Sequence, residues 1–259
     1  MPGGMWQRGA LRWAPLLFAG LLLVSAESRA GCTAPEDTTP VTVSAVLDGD
    51  TVTLADGRHV RFIGINTPER SRHDHPAQPL ARAATGRLRT LLAGGRLNLV
   101  IGRDPRDHYG RLLAHPFLPD GTNLTARLLE AGLGFQTVVP PNLRFLACYR
   151  QAERTARQAG RGVWAEPAFR PVFASTLTPD DTGFRRVTGT VTRIGESRTA
   201  WWLNLGRGFA LRMPKRDVPY FRLEPRDFQG RTLTVRGWIY VVKKRNELRM
   251  NLRHPAMIE

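Results

Sequence analysis

The beginning of the chain contains three short runs in which apolar and polar residues alternate. Two Asp-Gly dipeptides, Asp48-Gly49 and Asp56-Gly57, separate the runs, and Asp-Gly between alternating runs is a strong signal for a β-hairpin. The pattern predicts a three-stranded antiparallel meander that ends at Thr67-Pro68, because proline lacks the backbone donor that a strand uses. The apolar positions are Val41, Val43, Ala45 and Leu47, then Val52 and Leu54, then Val60 and Phe62.

After the meander, apolar residues from 80 to 92 recur at helical spacing. They predict an amphipathic helix that packs on the sheet and ends at Gly94-Gly95. Two more strands are predicted, at 97–101 and 112–116, joined by a polar connection from Arg103 to Arg111. Further helices are predicted at 124–131 and 142–159, since a glycine follows each. Five strands and three helices predict a small closed barrel in a mainly β, α+β domain. The residues with helical spacing are Leu80, Ala84, Leu88, Leu91 and Leu92.

The composition changes after Trp164, where prolines with Ser, Thr and Asp mark a linker. Five more strand patterns follow, and they predict a second small, barrel-like β domain. The predicted division is an N-terminal segment (1–30), a first domain (31–166), a linker (167–182) and a second domain (183–259). The strand patterns lie at Val187 to Ile194, Trp201 to Leu205, Phe209 to Met213, Leu233 to Ile239 and Leu248 to Leu252.

The 259-residue chain has a net charge of +16 at pH 7. From Thr176 to Glu259 there are 17 Lys and Arg against 8 Asp and Glu, a net of +9, so over half of the excess lies in this last third. Such an excess favours polyanions, because neutralising phosphates releases counterions, and it also attracts acidic membrane surfaces. We assign the second domain a binding role, with one or two of its aromatic side chains exposed. The candidates are Trp201, Trp202, Tyr220, Phe221, Trp238 and Tyr240.

The first thirty residues follow the secretory pattern. Arg8 and Arg12 precede an apolar run, and Ser28-Arg29-Ala30 offers the small residues that a signal peptidase needs. We expect cleavage after Ala30, export to the periplasm or the exterior, and no stable membrane span in the mature protein, because the apolar run is short for a span. Lipidation at Cys32 and an uncleaved anchor are the alternatives.

The chain that remains has two cysteines, Cys32 and Cys148. An exported protein meets an oxidising compartment, so one disulfide between them is the simple hypothesis. It would tie the start of the first domain to the last helix of that domain. Two unpaired thiols are the alternative, because pairing cannot be deduced from sequence.

Three polar segments, Asp48 to Thr51, Arg61 to Glu69 and Asp107 to Arg111, lie at the ends of predicted strands. Their carboxylates, amide oxygen and arginines are the groups that hold a divalent cation against a phosphodiester. Each residue alone has an ordinary alternative as a turn former, a solvated carboxylate or an exposed strand residue. The triplet His73-Asp74-His75 could also bind a metal, but adjacent loop residues diverge, which favours a solvated loop.

Within these segments, Asp50 and the side-chain oxygen of Asn66 are hard donors suited to Ca²⁺ or Mg²⁺. Glu69 can orient or deprotonate the attacking water. Arg61 and Arg111 can hold the phosphate through paired donors, which lysine does less well.

The three segments, followed by Gly160-Arg161-Gly162-Val163-Trp164, resemble the staphylococcal nuclease (thermonuclease) family in their order and separations. The similarity covers about 41–166. It implies a five-stranded barrel of the oligonucleotide-binding (OB) type with three helices, and a Ca²⁺-dependent nuclease that leaves 3′-phosphate ends. DNA and RNA are the implied partners, and a monomer is expected. For the second domain, an OB-like barrel is one option.

Carried onto this sequence, the resemblance implies metal ligation by Asp50, Asn66 and the backbone carbonyl of Thr67. It makes Asn66 a departure, because the best-known member of the family has an aspartate there. The amide keeps an oxygen ligand but removes a negative charge, so metal affinity should fall, and Mg²⁺ or Mn²⁺ becomes an option beside Ca²⁺. The remaining implied roles are water activation by Glu69, phosphate binding by Arg61 and Arg111, and substrate contacts by His108 and Tyr109.

The leading hypothesis is an exported, metal-dependent nuclease with an appended basic β domain. The main alternative is a catalytically weak nucleic-acid-binding protein that retains the barrel, and Asn66 is the feature that favours it. A third hypothesis is a cell-envelope adaptor that binds acidic polymers through its second domain.

Overall fold

A computed structural model of the chain describes residues 1, 3, 32–71, 76–206, 208–242 and 247–259. The predicted signal peptide, apart from Met1 and Gly3, lies outside the described residues, as does the triplet His73-Asp74-His75. No helix within the described ranges combines the length and the hydrophobicity needed to cross a bilayer.

The first domain runs from a β meander to a C-terminal helix. Its elements are β1 (Thr39–Val46), β2 (Thr51–Leu54), β3 (His59–Phe62), β4 (Ile65–Asn66), α1 (Ala81–Leu91), β5 (Arg96–Arg106), β6 (Leu112–Phe117), α2 (Leu124–Glu130), β7 (Phe135–Gln136) and α3 (Leu146–Gln158). Strands β1, β2, β3, β6 and β5 close into a barrel in that order, with only β3 and β6 parallel among these barrel neighbours. The predicted meander, five-stranded barrel and three helices are confirmed.

The core of this domain lies inside the barrel and between the barrel and its helices. Alternation along β2 and β3 turns Val52, Leu54, Val60 and Phe62 inward, and none of them is more than 2% exposed. Helix α2 begins at an Asn123 cap, whose side-chain oxygen accepts from the Ala126 N–H at 3.0 Å. Such a cap stabilises a helix by about 1 kcal/mol.

A disulfide joins Cys32 to Cys148, with their Cα atoms 5.2 Å apart. It ties the segment before β1 to helix α3 across 116 residues of chain. The predicted pairing is therefore confirmed, and the alternative of two unpaired thiols is wrong.

Two boundaries differ from the prediction for one physical reason. Strand β5 continues to Arg106 through the first part of the predicted polar connection, and α3 begins at Leu146 rather than at Asn142. The Asn142 side chain is instead bonded to the backbone of Asp104, accepting from its N–H at 2.9 Å and donating to its carbonyl at 3.0 Å. This paired contact supports the strand extension and leaves Asn142 outside the helix.

The predicted third strand, which ended at Thr67-Pro68, is divided into β3 and β4, and β7 is absent from the prediction. Strands β4 and β7 form a separate two-stranded sheet. They pair with each other, Ile65 opposite Gln136 and Asn66 opposite Phe135. Each has only two residues, and two residues cannot show a period of two. The pair places Asn66 beside the chain that leads into α3.

The second domain is a β structure, as predicted. Its strands are β8 (Val172–Phe173), β9 (Gly183–Thr190), β10 (Arg193–Glu196), β11 (Ala200–Asn204), β12 (Phe209–Pro214), β13 (Thr232–Val242) and β14 (Glu247–Asn251). They are hydrogen-bonded in the order β10-β11-β12-β14-β13-β9-β8. Strand β8 lies inside the predicted linker and pairs parallel to β9.

Only Val191 and Thr192 separate β9 from β10, and both continue the hydrogen-bonded ladders. The Val191 N–H donates to Arg231, just before β13, at 2.9 Å, and the Thr192 N–H donates to Asn204 of β11 at 2.8 Å. When β9 and β10 are counted as one bent strand, that strand pairs with β13 on one side and with β11 on the other, so the strand order forms a closed circle. The parallel pair β12 and β14 then corresponds to β3 and β6 of the first barrel, so the second domain repeats the first barrel's topology and is OB-like.

The two domains meet at a buried ion pair between α3 and β13. The Arg236 guanidinium donates to Glu153 at 2.9 and 2.6 Å, and the two residues are 5% and 6% exposed. Beside the pair, the ring of Phe135 stacks on the ring of Phe184 with centroids 5.5 Å apart. The contact therefore reaches β7, the partner of β4.

Candidate active site

Asp50 lies in the turn between β1 and β2, and its carboxylate faces Thr67. The Thr67 N–H donates to Asp50 Oδ2 at 2.7 Å, and the Thr67 hydroxyl donates to the same oxygen at 3.0 Å. The turn is held by Asp48, whose Oδ1 accepts from the Asp50 N–H at 3.0 Å. Gly49 is required here, because a Cβ on it would lie 2.7 Å from Ala84 Cβ and 2.8 Å from the Thr67 side chain.

Arg61 connects two of the predicted metal ligands. Its Nη1 lies 2.8 Å from Asp50 Oδ1, and its Nη2 donates to Asn66 Oδ1 at 3.1 Å. Asp50 and Asn66 are each only 4% exposed. The structure therefore brings Asp50, Asn66, Thr67 and Arg61 together in one partly enclosed cluster.

Burial raises the pKa of Asp50 to about 7; Arg61 acts to lower it, and the nearby Asp48 acts to raise it. Taking a carboxylate out of water disfavours its charged form. A cation beside the carboxylate favours its charged form and so lowers its pKa. The site therefore favours a positively charged neighbour for Asp50.

The cluster fits a hard divalent cation in its chemistry. Asp50 and Asn66 present oxygen atoms to a single positive group, the Arg61 guanidinium, which stands in for a cation between them. Oxygen donors are the ligands that Ca²⁺ and Mg²⁺ take in proteins. Among the described residues, no group of three or more His, Cys, Asp or Glu is gathered at one place.

Glu69 lies two residues beyond Thr67 on the exposed side of the cluster. Its backbone is held on both sides by Gln78, since the Glu69 N–H donates to Gln78 Oε1 at 2.9 Å and the Gln78 N–H donates to the Glu69 carbonyl at 2.9 Å. Sequence reasoning missed Gln78, because it lies in a polar loop without a periodic pattern. Its contacts place Glu69 relative to the rest of the site.

Arg111 is positioned by Asp107, a residue to which the sequence assigned no role. Asp107 accepts from Arg111 Nε at 2.7 Å and from the Arg111 N–H at 3.0 Å. Burial acts to raise the pKa of Asp107, but the hydrogen bonds and charge of Arg111 outweigh it and the pKa is lowered. Asp107 therefore stays ionised and holds the guanidinium in place.

Arg61 and Arg111 lie on the same face of the barrel. Leu113 is opposite Arg61 in the parallel pair of β3 and β6, and Arg111 precedes Leu113 by two residues. Strand spacing and rise put the two arginine Cα atoms about 8 Å apart. A phosphate group can therefore be approached from both strands.

The substrate-contact candidates lie at the rim of this face. Tyr109 is 73% exposed, and the Arg111 Cζ lies 5.4 Å from its ring centroid. The His108 ring centroid is 3.8 Å from that of Tyr109. These two exposed rings, inclined at 41° to each other, lie next to Arg111.

Comparison with known proteins matches the first domain to a family. The model of the staphylococcal nuclease homologue family matches residues 59–166, which include Arg61, Asn66, Thr67, Glu69 and Arg111. Asp50 lies before the matched range. The matched range ends at Glu166, before the second barrel begins.

Individual relatives are similar over the same part of the chain. The thermonuclease of Staphylococcus intermedius is 34% identical over 125 residues, which cover 47% of this chain and 74% of that protein. The endonuclease YncB of Bacillus subtilis is 31% identical over 134 residues, covering 50% of this chain and 63% of that protein. An uncharacterized endonuclease of Escherichia coli is 32% identical over 130 residues, covering 48% and 76%.

Proposed function

Because the chain belongs to the staphylococcal nuclease family, we propose that it is a metal-dependent nuclease that hydrolyses phosphodiester bonds of DNA or RNA. The observation that carries this proposal is the convergence of Asp50 and Asn66 on Arg61, with Arg111 directly before the neighbouring strand β6. Nucleases of this family generally depend on a metal ion. The finer elements of the proposal are Ca²⁺ as the preferred ion and export from the cytoplasm.

The cation would be held by Asp50, Asn66 and the Thr67 carbonyl. When bound, it supplies Lewis-acid stabilisation of the charge that develops on the phosphate. Arg61 contacts both side-chain oxygens in the free protein. Once those oxygens serve as ligands, its Nη atoms can donate to the phosphate instead.

The other residues of the site bind substrate and move a proton. Arg111, fixed by Asp107, donates to the phosphate from the neighbouring strand. Glu69 accepts a proton from the attacking water as general base. Tyr109, with its exposed ring, offers a stacking surface to the adjacent nucleotide.

Export is supported by the N-terminal pattern of the sequence and by the disulfide between Cys32 and Cys148. Disulfides persist in oxidising compartments such as the periplasm and the exterior. We propose that the protein acts there on extracellular or periplasmic nucleic acid.

The direct test is cleavage of a labelled oligonucleotide, as DNA and as RNA, by the purified protein with Ca²⁺, Mg²⁺ or Mn²⁺. We expect cleavage with Ca²⁺, loss of cleavage in chelator and recovery when Ca²⁺ is restored. A protein that is inert with all three ions but still binds the oligonucleotide would contradict the proposal. It would favour the second candidate, a nucleic-acid-binding protein, for which the neutral Asn66 is the supporting observation.

Asn66→Asp is expected to tighten Ca²⁺ binding by about tenfold or more, because ligand charge sets the affinity of oxygen sites. The carboxylate keeps the oxygen that contacts Arg61 and adds one negative charge to a buried site. Isothermal titration calorimetry with Ca²⁺ measures the change. Asn98→Asp on β5 is the matched control, since it adds the same charge to the same barrel, and equal affinities for the two variants would contradict the assignment of Asn66 as a ligand.

A further inference from the structure

One row of large side chains crosses the outer face of the second barrel. In the strand register, Trp202 is opposite Arg212, and Arg212 is opposite Asn251. Because Ile239 pairs with Met250, Asn251 is opposite Trp238. We call Trp202, Arg212, Asn251 and Trp238 the cross-strand row; it spans four strands, or about 14 Å.

The two tryptophans stand at the ends of the row, and arginines lie between and beside them. The Arg249 Cζ lies 4.3 Å from the centroid of the Trp202 ring, so the guanidinium covers that ring. At the other end of the row, Trp238 is 42% exposed. Trp238 and Tyr220, 38% exposed, are the two exposed members of the six aromatic candidates, which confirms the expectation of one or two. Trp238 alone of these two belongs to the row.

The same face contains buried polar atoms that have no partner. Among the described residues, four buried side-chain nitrogen or oxygen atoms lack a hydrogen bond, and three of them are Arg236 Nε, Arg249 Nε and Asn251 Oδ1. Arg236 shares the outer face with Trp238, since the two are two residues apart on β13. Buried polar groups are normally satisfied by protein, water or ligand. These atoms are enclosed by protein, so the exposed Trp238 ring and the half-buried Arg212 are the groups of this face that a ligand can contact.

The row leads into a cleft between the two domains. The cleft has a volume of about 210 Å³ and is lined on one side by Phe184, Trp238, Asn251 and Arg253 of the second domain. The other side is formed by 136–139 of the first domain. This volume is below the roughly 300–1,000 Å³ of pockets that enclose whole small molecules, so the cleft accommodates a part of a longer ligand.

The first-domain wall of the cleft is hydrogen-bonded to the segment that carries Asn66. Phe135, which precedes that wall, is opposite Asn66 in the pair of β7 and β4. The Thr137 N–H donates to the Gly64 carbonyl at 3.1 Å. The cleft and the candidate active site are therefore supported by the same pair of short strands.

We propose that the cross-strand row and the cleft bind a single strand of DNA or RNA and hold it beside the nuclease domain. The inference rests on the proposed nuclease function. Stacking aromatics with arginines bind single strands with little dependence on sequence, and the positive charge of this part of the chain complements a phosphate backbone. The occupant is single-stranded, because an unpaired base can stack on the exposed Trp238 ring, whereas the bases of a duplex stack on one another.

The test is binding of fluorescein-labelled single-stranded DNA and RNA oligonucleotides, measured by fluorescence anisotropy in chelator so that no cleavage occurs. Trp238→Ala is expected to weaken binding by about tenfold, and Trp238→Phe is expected to restore most of it. Phe173→Ala, on β8 and 66% exposed, is the matched control and should bind as the wild type does. Circular dichroism and thermal unfolding verify that each variant is folded.

Arg212→Ala tests the phosphate contacts of the same row. We expect the slope of log affinity against log salt to fall by about one. Arg127→Ala, on helix α2, removes the same charge from the first domain and should leave the slope unchanged. Duplex of the same sequence should bind more weakly than the single strand.

The inference is overturned if folded Trp238→Ala binds as tightly as the wild type, if Phe173→Ala loses as much, or if duplex and single strand bind equally. Because binding is measured without cleavage, the two proposals can fail separately. If Trp238→Ala cleaves the oligonucleotide and binds it as tightly as the wild type does, the proposed nuclease function stands and the binding role of the cross-strand row is refuted. If substitution of Trp238 weakens binding but the wild-type protein never cleaves, the binding role of the row stands and the proposed nuclease function is refuted.

Discussion

Glu69→Gln is expected to lower the rate of phosphodiester cleavage by about 10²- to 10⁴-fold, the usual contribution of a positioned general base. The amide has the size of the carboxylate but cannot accept the proton of the attacking water. The backbone of Glu69 is fixed by Gln78 and Pro68 precedes it, so the substitution leaves the backbone at this position unchanged. Single-turnover cleavage of a labelled oligonucleotide measures the effect.

The matched control is Glu36→Gln, which makes the same chemical change at an exposed residue before β1. Oligonucleotide binding in chelator should be the same in wild type, Glu69→Gln and Glu36→Gln. A Glu69→Gln variant with wild-type cleavage would refute the assignment of Glu69 as the base. A loss of binding equal to the loss of rate would instead make Glu69 a structural residue.

Arg236→Ala is expected to lower the free energy of unfolding by about 3–5 kcal/mol, because it leaves a buried carboxylate without its counter-charge. Burial raises the pKa of Glu153, and Arg236 acts to lower it. Glu153 Oε1 also accepts from the Gln136 N–H at 2.6 Å, and Gln136 is paired with Ile65 of β4. The ion pair thus supports the strand that carries Asn66, and the variant should also bind Ca²⁺ more weakly.

Urea denaturation of Arg236→Ala and of the wild type measures the loss of unfolding free energy. Arg58→Ala is the control, because Arg58 and Asp56 form an exposed pair with side chains 48% and 51% exposed, and such pairs contribute about 0–1 kcal/mol. Glu153→Gln combined with Arg236→Met should recover part of the stability, since the amide oxygen still accepts from Gln136. Similar losses for Arg236→Ala and Arg58→Ala would contradict the role of the buried pair.

The free energy of unfolding of Arg236→Ala is expected to rise as the pH falls. Without the arginine, the folded-state pKa of Glu153 is raised further above its unfolded value, because burial then acts almost unopposed. A raised pKa makes the folded state bind more protons than the unfolded state, so the stability is greater at low pH and falls as pH rises through the folded pKa. Acidification should therefore recover part of the stability of Arg236→Ala.

Local features of the sequence predicted most of the first barrel. The Asp-Gly turns set the ends of β2, and Pro68 follows β4, although the third strand of the meander, β3, ends earlier, at Phe62. The same signals placed Asp50, Asn66 and Thr67 at neighbouring strand ends, and the structure brings these residues into contact through Arg61. Turn and strand signals act within a few residues, which is why a linear pattern reveals them.

Contacts between distant residues had no such signal. Glu153 and Arg236 are 83 residues apart, and in a linear pattern each has the character of an exposed charge. Only a shared interface makes their burial favourable, because each ion compensates the other. The two-residue strands β4 and β7 are likewise defined by their partner rather than by their own residues.

The sequence by itself determined the order of the barrel strands and of the helices, the chemistry available to the site and the basic character of the second domain, because these depend on residue type and short-range pattern. The tertiary structure alone decided that Glu153 and Arg236 form a buried pair between the domains, that β4 pairs with β7, and that Trp238 lines a cleft whose other wall is 136–139. These features depend on residues far apart in the chain, whose packing no local propensity encodes.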